Sequence, residues 1–193
     1  MANYFYGSYK MKNSNYNFEK NIFVKIVSPN FSLKDYSTQS EIDQLKRLIQ
    51  ISDPEKNKKT LFIWPEGIFY ESNLQNIVLY KNLFINKFSE NHLILLGINN
   101  FVYSENLNDK KYFNSLVILN HELEILSVYN KVNLVPFGEF LPFEKILSKF
   151  GLKKITPGYS SFSPGDKRTL INLGNKFNGK LILPLICYEI IYS

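Results

Sequence analysis

Short apolar runs separated by turn-forming residues recur along the chain at the length of β-strands. The first run ends at a Ser-Pro-Asn break at 28–30, and the second meets Pro65; both are signals that end a strand. The Asn-His pair at 120–121 separates two neighbouring runs and predicts an antiparallel pair. The strands predicted in this way span 21–27, 61–64, 92–98, 112–119 and 124–129.

Two segments between these runs have the spacing of amphipathic helices. In the first, Ser37 or Ser40 can cap the amino end, and Pro54 follows the last apolar position. In the second, Ser72 or Asn73 is the available cap. The apolar positions are Ile42, Leu45, Leu48 and Ile49 in the first segment, and Leu74, Ile77, Val78, Phe84, Ile85 and Phe88 in the second.

The last third of the chain carries further turn signals. Pro142 is placed to open a short helix over 143–150. The Asn-Gly pair at 178–179 predicts a hairpin between strands at 169–173 and 181–186.

This order of strands and helices predicts a mixed α/β layer fold. The runs LILLGI and LILPLIC lack apolar–polar alternation, so their strands are expected to be covered on both faces. We expect the two helices to cover one face of the sheet and another layer to cover the other. With 193 residues, of which 45% are hydrophobic, the chain suits one domain with a real core.

Composition narrows the possible partners. Lys and Arg total 23 against 17 acidic residues, a net charge of +6 that suits an anionic membrane surface or nucleic acid. Arg47 and Arg168 are the only arginines, and no basic stripe is interleaved with aromatic residues, so nucleic acid is not expected. The single cysteine excludes an internal disulfide. No apolar run approaches the ~20 residues that span a bilayer.

Three chemically capable side chains each follow an apolar run. Cys187 follows LPLI, Glu66 closes LFIWPE, and Lys131 follows the strand predicted at 124–129. A turn between strand and helix at Cys187 would expose the thiol and favour the thiolate. A thiol, a carboxylate and an ammonium brought together can act as nucleophile, general base and oxyanion stabiliser. Glu139 can form an ion pair with Lys131 or shape the entrance through which a substrate reaches the site.

Each residue also has an ordinary structural interpretation. Cys187 alone would be a small buried hydrophobe, Glu66 a surface carboxylate and Lys131 a solvated lysine. His92 precedes an apolar strand and His121 lies in a predicted turn, so both are interpreted as structural. No residue spacing matches a metal site, and no glycine-rich loop suits a phosphate.

Four segments carry a family resemblance. They are IWPEG around Glu66, YNKVNLVPFGEFLPFE around Lys131, ICYEIIYS around Cys187, and TPGYSSFSPGD at 156–166. The order Glu, Lys, Cys resembles the nitrilase (carbon–nitrogen hydrolase) superfamily. The segment LVPFGEFLP further resembles the catalytic domain of apolipoprotein N-acyltransferases.

The resemblance implies a two-step reaction without a cofactor. Glu66 would take the proton of Cys187, whose sulfur would attack an ester carbonyl of a phospholipid acyl chain. The resulting thioester would pass its acyl group to the α-amino group of a lipoprotein's N-terminal diacylglyceryl-cysteine. Lys131 would stabilise the oxyanion in both steps.

The resemblance also implies the surroundings of the site. Asn114, Glu139, Tyr188 and Glu189 match motif positions that support or position it. The implied fold is a nitrilase-like α-β-β-α sandwich, here incomplete at the C-terminus. The implied location is the bacterial inner membrane, with this domain on the periplasmic face and membrane helices that this chain lacks.

Departures from the family leave alternatives open. The expected organisation is a polar segment at 1–20, linking to a missing membrane region, and a hydrolase-like domain at 21–193, truncated after the nucleophile. Asn133 stands where many relatives have histidine, which leaves the chemistry intact. One alternative is a soluble amidase using the same three residues. Another is an inactive fragment of either enzyme, with an uncovered apolar sheet edge and face.

Overall fold

The computed structural model describes residues 2–13, 21–32, 35, 38–69, 71–103, 110–143 and 161–192. The helix predicted over 143–150 lies outside the described residues, apart from its first position.

The main helix, α2, forms where the apolar spacing predicted it. It spans Glu41–Ser52, after a first helix α1 at Ala2–Asn13 that the pattern did not predict. Ser40 is the cap, and its hydroxyl accepts a hydrogen bond from the Asp43 amide. Asp53 ends the helix in the left-handed conformation, with φ of 40°. Local signals alone therefore define this helix.

Five strands form one sheet in the order β1-β2-β3-β4-β5. The first three strands are parallel to one another, and β4 is antiparallel to both β3 and β5. Each predicted run becomes one of these strands, although β3 and β4 are longer than predicted. The strands are Ile22–Ile26, Lys59–Ile63, His92–Tyr103, Lys110–Leu119 and Ile125–Asn130.

One face of the sheet packs against the helices. Leu45 and Leu48 of α2 meet Ile94 and Leu96 of β3 in a single buried cluster. The Trp64 indole N–H donates to the Ser52 hydroxyl across 3.0 Å, which joins the end of β2 to α2. The prediction that helices cover one face is confirmed.

The opposite face packs against the C-terminal segment. Leu93 and Leu95 of β3 meet Phe177 and Ile186 in a second buried cluster. A short ribbon of β6 (Ile171–Asn172) and β7 (Leu181–Ile182) supplies this cover, with Asn178 and Gly179 at its turn. The mixed α/β class is confirmed. The described residues supply a helical layer and a sheet, as in one half of an α-β-β-α sandwich.

Three predicted elements are shorter than expected, among them the strand predicted at 169–173, which pairs only at Ile171–Asn172. In place of one helix at 74–88, the structure has a 3-10 helix at Ile77–Tyr80 and a five-residue helix, α3, at Lys81–Ile85. The strand predicted at 181–186 is also wrong beyond Ile182, since Pro184 lacks the N–H that a strand pair needs. Leu181 is 57% exposed and Leu183 is 47% exposed, so this run is not covered on both faces.

Apolar side chains are exposed on the edge strand β1. Val24 is 59% exposed and Ile26 is 76% exposed, and both lie on the edge strand. No helix among the described residues is long and apolar enough to cross a membrane.

Candidate active site

The strand register places several predicted site residues on one face. Asn114 of β4 lies opposite Asn99 of β3, and Gly97 lies opposite Leu116. Lys131 follows β5, and its amide donates to the Asn114 carbonyl across 2.9 Å, continuing the β4–β5 pairing. Because alternate residues share a face, these positions lie on the face covered by the C-terminal segment.

The loop that carries Glu66 is attached to β3 at both ends. The Trp64 amide donates to the Leu95 carbonyl, and Phe69 pairs with Ile98. Gly67 turns the loop with φ of 79°, a conformation that favours glycine. The Glu66 side chain is exposed, as in the interpretation of Glu66 as a surface carboxylate.

Asn114 and Glu139 join Glu66 to Lys131. The Asn114 amide group donates to Glu66 Oε1 at 2.8 Å and to Glu139 Oε1 at 2.9 Å. Lys131 Nζ donates to Glu139 Oε2 at 2.8 Å, and the Val135 amide donates to the same oxygen at 2.9 Å. The Lys131 side chain is only 2% exposed, so its ammonium is held in one place by a buried ion pair.

Cys187 occupies a sharp turn at the end of the C-terminal segment. Its φ is 50°, which is unusual for a residue other than glycine, and its side chain is exposed. A 3-10 helix begins here and spans Cys187–Tyr192. The predicted turn between an extended segment and a helix is present, although the preceding segment is not a long strand.

Glu189 ties the Cys187 turn to the residues that follow Lys131. One carboxylate oxygen accepts hydrogen bonds from the amides of Val132 and Asn133 and from the Tyr129 hydroxyl, at 2.8 to 3.0 Å. The other oxygen accepts from the Ile186 amide at 2.9 Å. A fully buried carboxylate therefore connects the residue before Cys187 with two residues after Lys131.

Of the other residues considered in the sequence, Tyr188 lies beside Cys187 and His92 lies away from the site. Tyr188 is 56% exposed beside Cys187. His92 is buried at the start of β3, with Nδ1 accepting from the Ser89 amide and Nε2 donating to the Glu55 carbonyl, so its role is structural, as predicted. The sequence pattern did not identify Tyr129, because this residue is buried within a strand whose other residues are mostly exposed.

Among the described residues, no group of His, Cys, Asp and Glu could hold a metal ion.

Glu189 should make stability depend on pH. Burial alone would raise the pKa of Glu189, but the hydrogen bonds from Ile186, Asn133, Tyr129 and Val132 outweigh burial, so this pKa lies below its usual value. A lowered pKa in the folded state stabilises the protein above the unfolded-state pKa of about 4.3. We expect this contribution to be lost as the pH falls through the folded-state pKa.

Urea unfolding between about pH 6 and pH 3 measures this dependence. The free energy of unfolding should fall less steeply with acidification in Glu189→Gln than in the parent protein. Equal slopes in the two proteins would contradict the contribution assigned to Glu189.

The sequence was compared with those of known proteins to test the family resemblance. Curated relatives named apolipoprotein N-acyltransferase include one from Allorhizobium ampelinum, 28% identical over 97% of this chain and 35% of its own length. One from Brucella suis biovar 1 is 30% identical over 88% of this chain and 32% of its own length. The resemblance to apolipoprotein N-acyltransferases is confirmed. The chain spans about a third of the length of these apolipoprotein N-acyltransferases, and no protein-family profile matches it.

Similarity is strongest over part of the chain. An apolipoprotein N-acyltransferase from Agrobacterium fabrum is 42% identical over 42% of this chain and 15% of its own length. Among solved structures, a mutant amidase from Nesterenkonia sp. AN1 aligns over 87% of this chain and 55% of its own, with a TM-score of 0.37 and 12% identity.

Proposed function

We propose that this chain carries the catalytic residues of an N-acyltransferase that works through a thioester on Cys187. The similarity to apolipoprotein N-acyltransferases supports an acyltransferase of the carbon–nitrogen hydrolase type. The observation that carries the proposal is the hydrogen-bonded series Glu66–Asn114–Glu139–Lys131, with Glu189 linking the Cys187 turn to the same segment. These contacts connect Glu66 to Lys131 through Asn114 and Glu139, and the buried Glu189 connects the Cys187 turn to the residues after Lys131.

In the first step, Glu66 takes the thiol proton of Cys187, and the sulfur attacks the ester carbonyl of a phospholipid acyl chain. A carbon–sulfur bond forms, and the carbonyl oxygen becomes an oxyanion facing the Lys131 ammonium. The carbon–oxygen ester bond then breaks, and the departing lysophospholipid oxygen takes the proton from Glu66. The product is an acyl thioester on Cys187.

In the second step, the α-amino group of a diacylglyceryl-cysteine at a lipoprotein N-terminus attacks the thioester. Glu66 takes a proton from the nitrogen as the carbon–nitrogen bond forms, and Lys131 again stabilises the oxyanion. The carbon–sulfur bond breaks, and the Cys187 thiolate recovers the proton from Glu66. The product is an amide, and the enzyme is back in its starting state because Cys187 is again a thiol and Glu66 a carboxylate.

The supporting residues hold these groups in place. Glu139 uses one of the three N–H donors of Lys131, so the ammonium keeps donors for a substrate oxygen. Asn114 orients Glu66 and Glu139 together. Tyr188, exposed beside the thiol, is assigned to positioning the substrate.

We place the protein at the bacterial inner membrane, with this domain on the periplasmic face. Exposed aromatic side chains and lysines are typical of the membrane interface, and α1 carries both. Its exposed aromatic residues are Tyr4, Phe5, Tyr6 and Tyr9. Fractionation of a bacterium that expresses the tagged native gene checks this location; recovery only in the soluble fraction contradicts it.

An apolar cavity next to Lys131 suits the acyl chain. Its volume is about 220 Å³, and it is lined by Val132, Leu134, Phe140, Phe162 and Pro164. The Phe162 amide donates to the Glu139 carbonyl, so the cavity adjoins the buried ion pair. We assign it to the first part of the donor chain.

Mass spectrometry of the protein expressed from its native gene tests the proposal. Incubation with phospholipid vesicles should add one acyl mass to a peptide containing Cys187, and a diacylated lipopeptide should then remove it. The Cys187→Ala variant should acquire no such mass. Donors with very short chains should acylate Cys187 more slowly than long ones, because they leave the cavity unfilled.

Three outcomes would contradict the proposal. These are absence of the thioester in the parent protein, its persistence in Cys187→Ala, and hydrolysis of small amides without acylation by phospholipid. The last outcome would favour the amidase alternative.

A further inference from the structure

The chain around Glu66 crosses directly over Gly97 of β3. A Cβ atom at position 97 would lie 3.2 Å from Glu66 Cγ, 3.3 Å from its Cα and 3.4 Å from its Cβ. These separations are shorter than ordinary van der Waals contacts between carbon atoms. Glu66 therefore lies where it does because residue 97 has no side chain.

The loop cannot move aside freely. It is attached to β3 by the Trp64 amide at Leu95 and by the Phe69 pairing at Ile98, on either side of Gly97. From Ile63 to Phe69 the chain advances six residues, while its partner β3 advances only three, from Leu95 to Ile98. The three additional residues form the turn that carries Glu66. A side chain at 97 would push on the Glu66 backbone itself.

Gly97 also lies on the face that carries the rest of the site. Its partner Leu116 is two residues from Asn114 on β4, so a group at 97 would project towards the Asn114–Glu66 hydrogen bond. Gly97 has no positive φ, so the backbone itself accepts other residues. Glycine is needed here for space and not for conformation.

We propose that Gly97 is a positioning residue for Glu66: its missing side chain sets the height of the carboxylate above the sheet. The inference rests on the proposed role of Glu66 as general base. In Gly97→Ala, Glu66 must shift by a few tenths of an ångström. Displacements of about 1 Å at a catalytic group cost about a hundredfold in rate, so a loss of about tenfold is expected.

Single-turnover acylation of Cys187 in phospholipid vesicles measures this effect. Gly97→Ala should lower the maximal acylation rate about tenfold, leave the vesicle concentration at half-maximal rate unchanged, and keep the melting temperature within about 3 °C of the parent. Alanine is preferred to glycine inside a strand, and this preference offsets the close contacts. Gly7→Ala is the control for the melting temperature, since nothing lies within 4 Å of a Cβ at that position.

A double-mutant cycle separates positioning from a general structural effect. Combined with Glu66→Gln, Gly97→Ala should slow acylation less than twofold further. Equal losses in both backgrounds, or parent-like rates in Gly97→Ala, would overturn the inference.

Alkylation by iodoacetamide gives a second readout that needs no acyl donor, because Cys187 is the only cysteine. Gly97→Ala should change the alkylation rate in the same direction as Glu66→Gln, and by less. If the parent forms no thioester, the proposed function fails, and the alkylation rates still test Gly97. A parent-like alkylation rate in Gly97→Ala would then reject the positioning role.

Discussion

Lys131→Met should abolish most acyl transfer and destabilise the fold at the same time. Removing one member of a buried ion pair costs about 3–5 kcal/mol, because Glu139 keeps its charge without its partner. For a chain of this size that corresponds to a fall of about 10 °C in melting temperature. Loss of the oxyanion donor should lower the rate of Cys187 acylation by about 10²–10³. Calorimetry and single-turnover acylation measure the two effects.

The pair Lys58–Glu55 provides the matched control. Its N···O distance is 2.7 Å, close to the 2.8 Å of Lys131–Glu139, but its side chains are 43% and 57% exposed. Exposed pairs contribute little, so Lys58→Met should leave both stability and acylation nearly unchanged.

A double variant separates the two roles of Lys131. Adding Glu139→Gln removes the unpaired charge and should restore part of the lost stability, while acylation stays as slow as in Lys131→Met. The recovery is incomplete because the glutamine NH2 group must face the N–H donor of Asn114 or of Val135. If Lys131→Met keeps acylation within tenfold of the parent rate, Lys131 is not the oxyanion donor.

Glu189→Gln should disrupt the site, although glutamine and glutamate side chains have nearly the same shape. Both carboxylate oxygens accept backbone N–H groups, from Val132 and Asn133 on one side and Ile186 on the other. Whichever way the glutamine amide turns, its NH2 group must face a backbone donor. Leaving a buried donor unsatisfied costs about 1–3 kcal/mol. The Cys187 turn should loosen, and acylation per folded molecule should fall at least tenfold.

Glu41 offers a matched carboxylate away from the site. It is buried to the same degree, and Oε2 accepts the amides of Glu71 and Ser72. Among the residues that the structure describes, its other oxygen accepts only the Tyr80 hydroxyl, which can rotate to accept from an amide and donate to Ser72 Oγ instead. Glu41→Gln should therefore destabilise the protein less than Glu189→Gln and leave acylation unchanged.

Denaturant unfolding and single-turnover acylation measure both variants. Equal losses of acylation in Glu41→Gln and Glu189→Gln would show that any buried carboxylate has this effect. Glu189 would then have no special role in holding the Cys187 turn.

Elements with local signals were predictable, and elements that depend on competing contacts were not. Helix α2 followed from its apolar spacing and from Ser40, whose capping bond reaches only three residues ahead. The helix expected at 74–88 instead starts late, because Asn73 and Asn76 form local side-chain bonds that compete with helical pairing. Apolar spacing alone does not show this competition.

For the site, the sequence indicated which residues take part, but it did not show how they are arranged. A thiol, a carboxylate and an ammonium each following an apolar run predicted the chemistry, and the sequence motifs predicted the family. The sequence left open whether Glu66 is exposed, because its position depends on how the loop attaches to β3 at Leu95 and Ile98.

The sequence by itself establishes the sheet-forming runs, the capped helix, the candidate chemistry and the kinship with apolipoprotein N-acyltransferases. The connections within the site come from the tertiary structure, because their partners are far apart along the chain. Asn114 reaches Glu66 across 48 positions, and Tyr129 reaches Glu189 across 60. Strand register and packing bring such residues within hydrogen-bond distance, and no local pattern of apolar and polar residues encodes those distances.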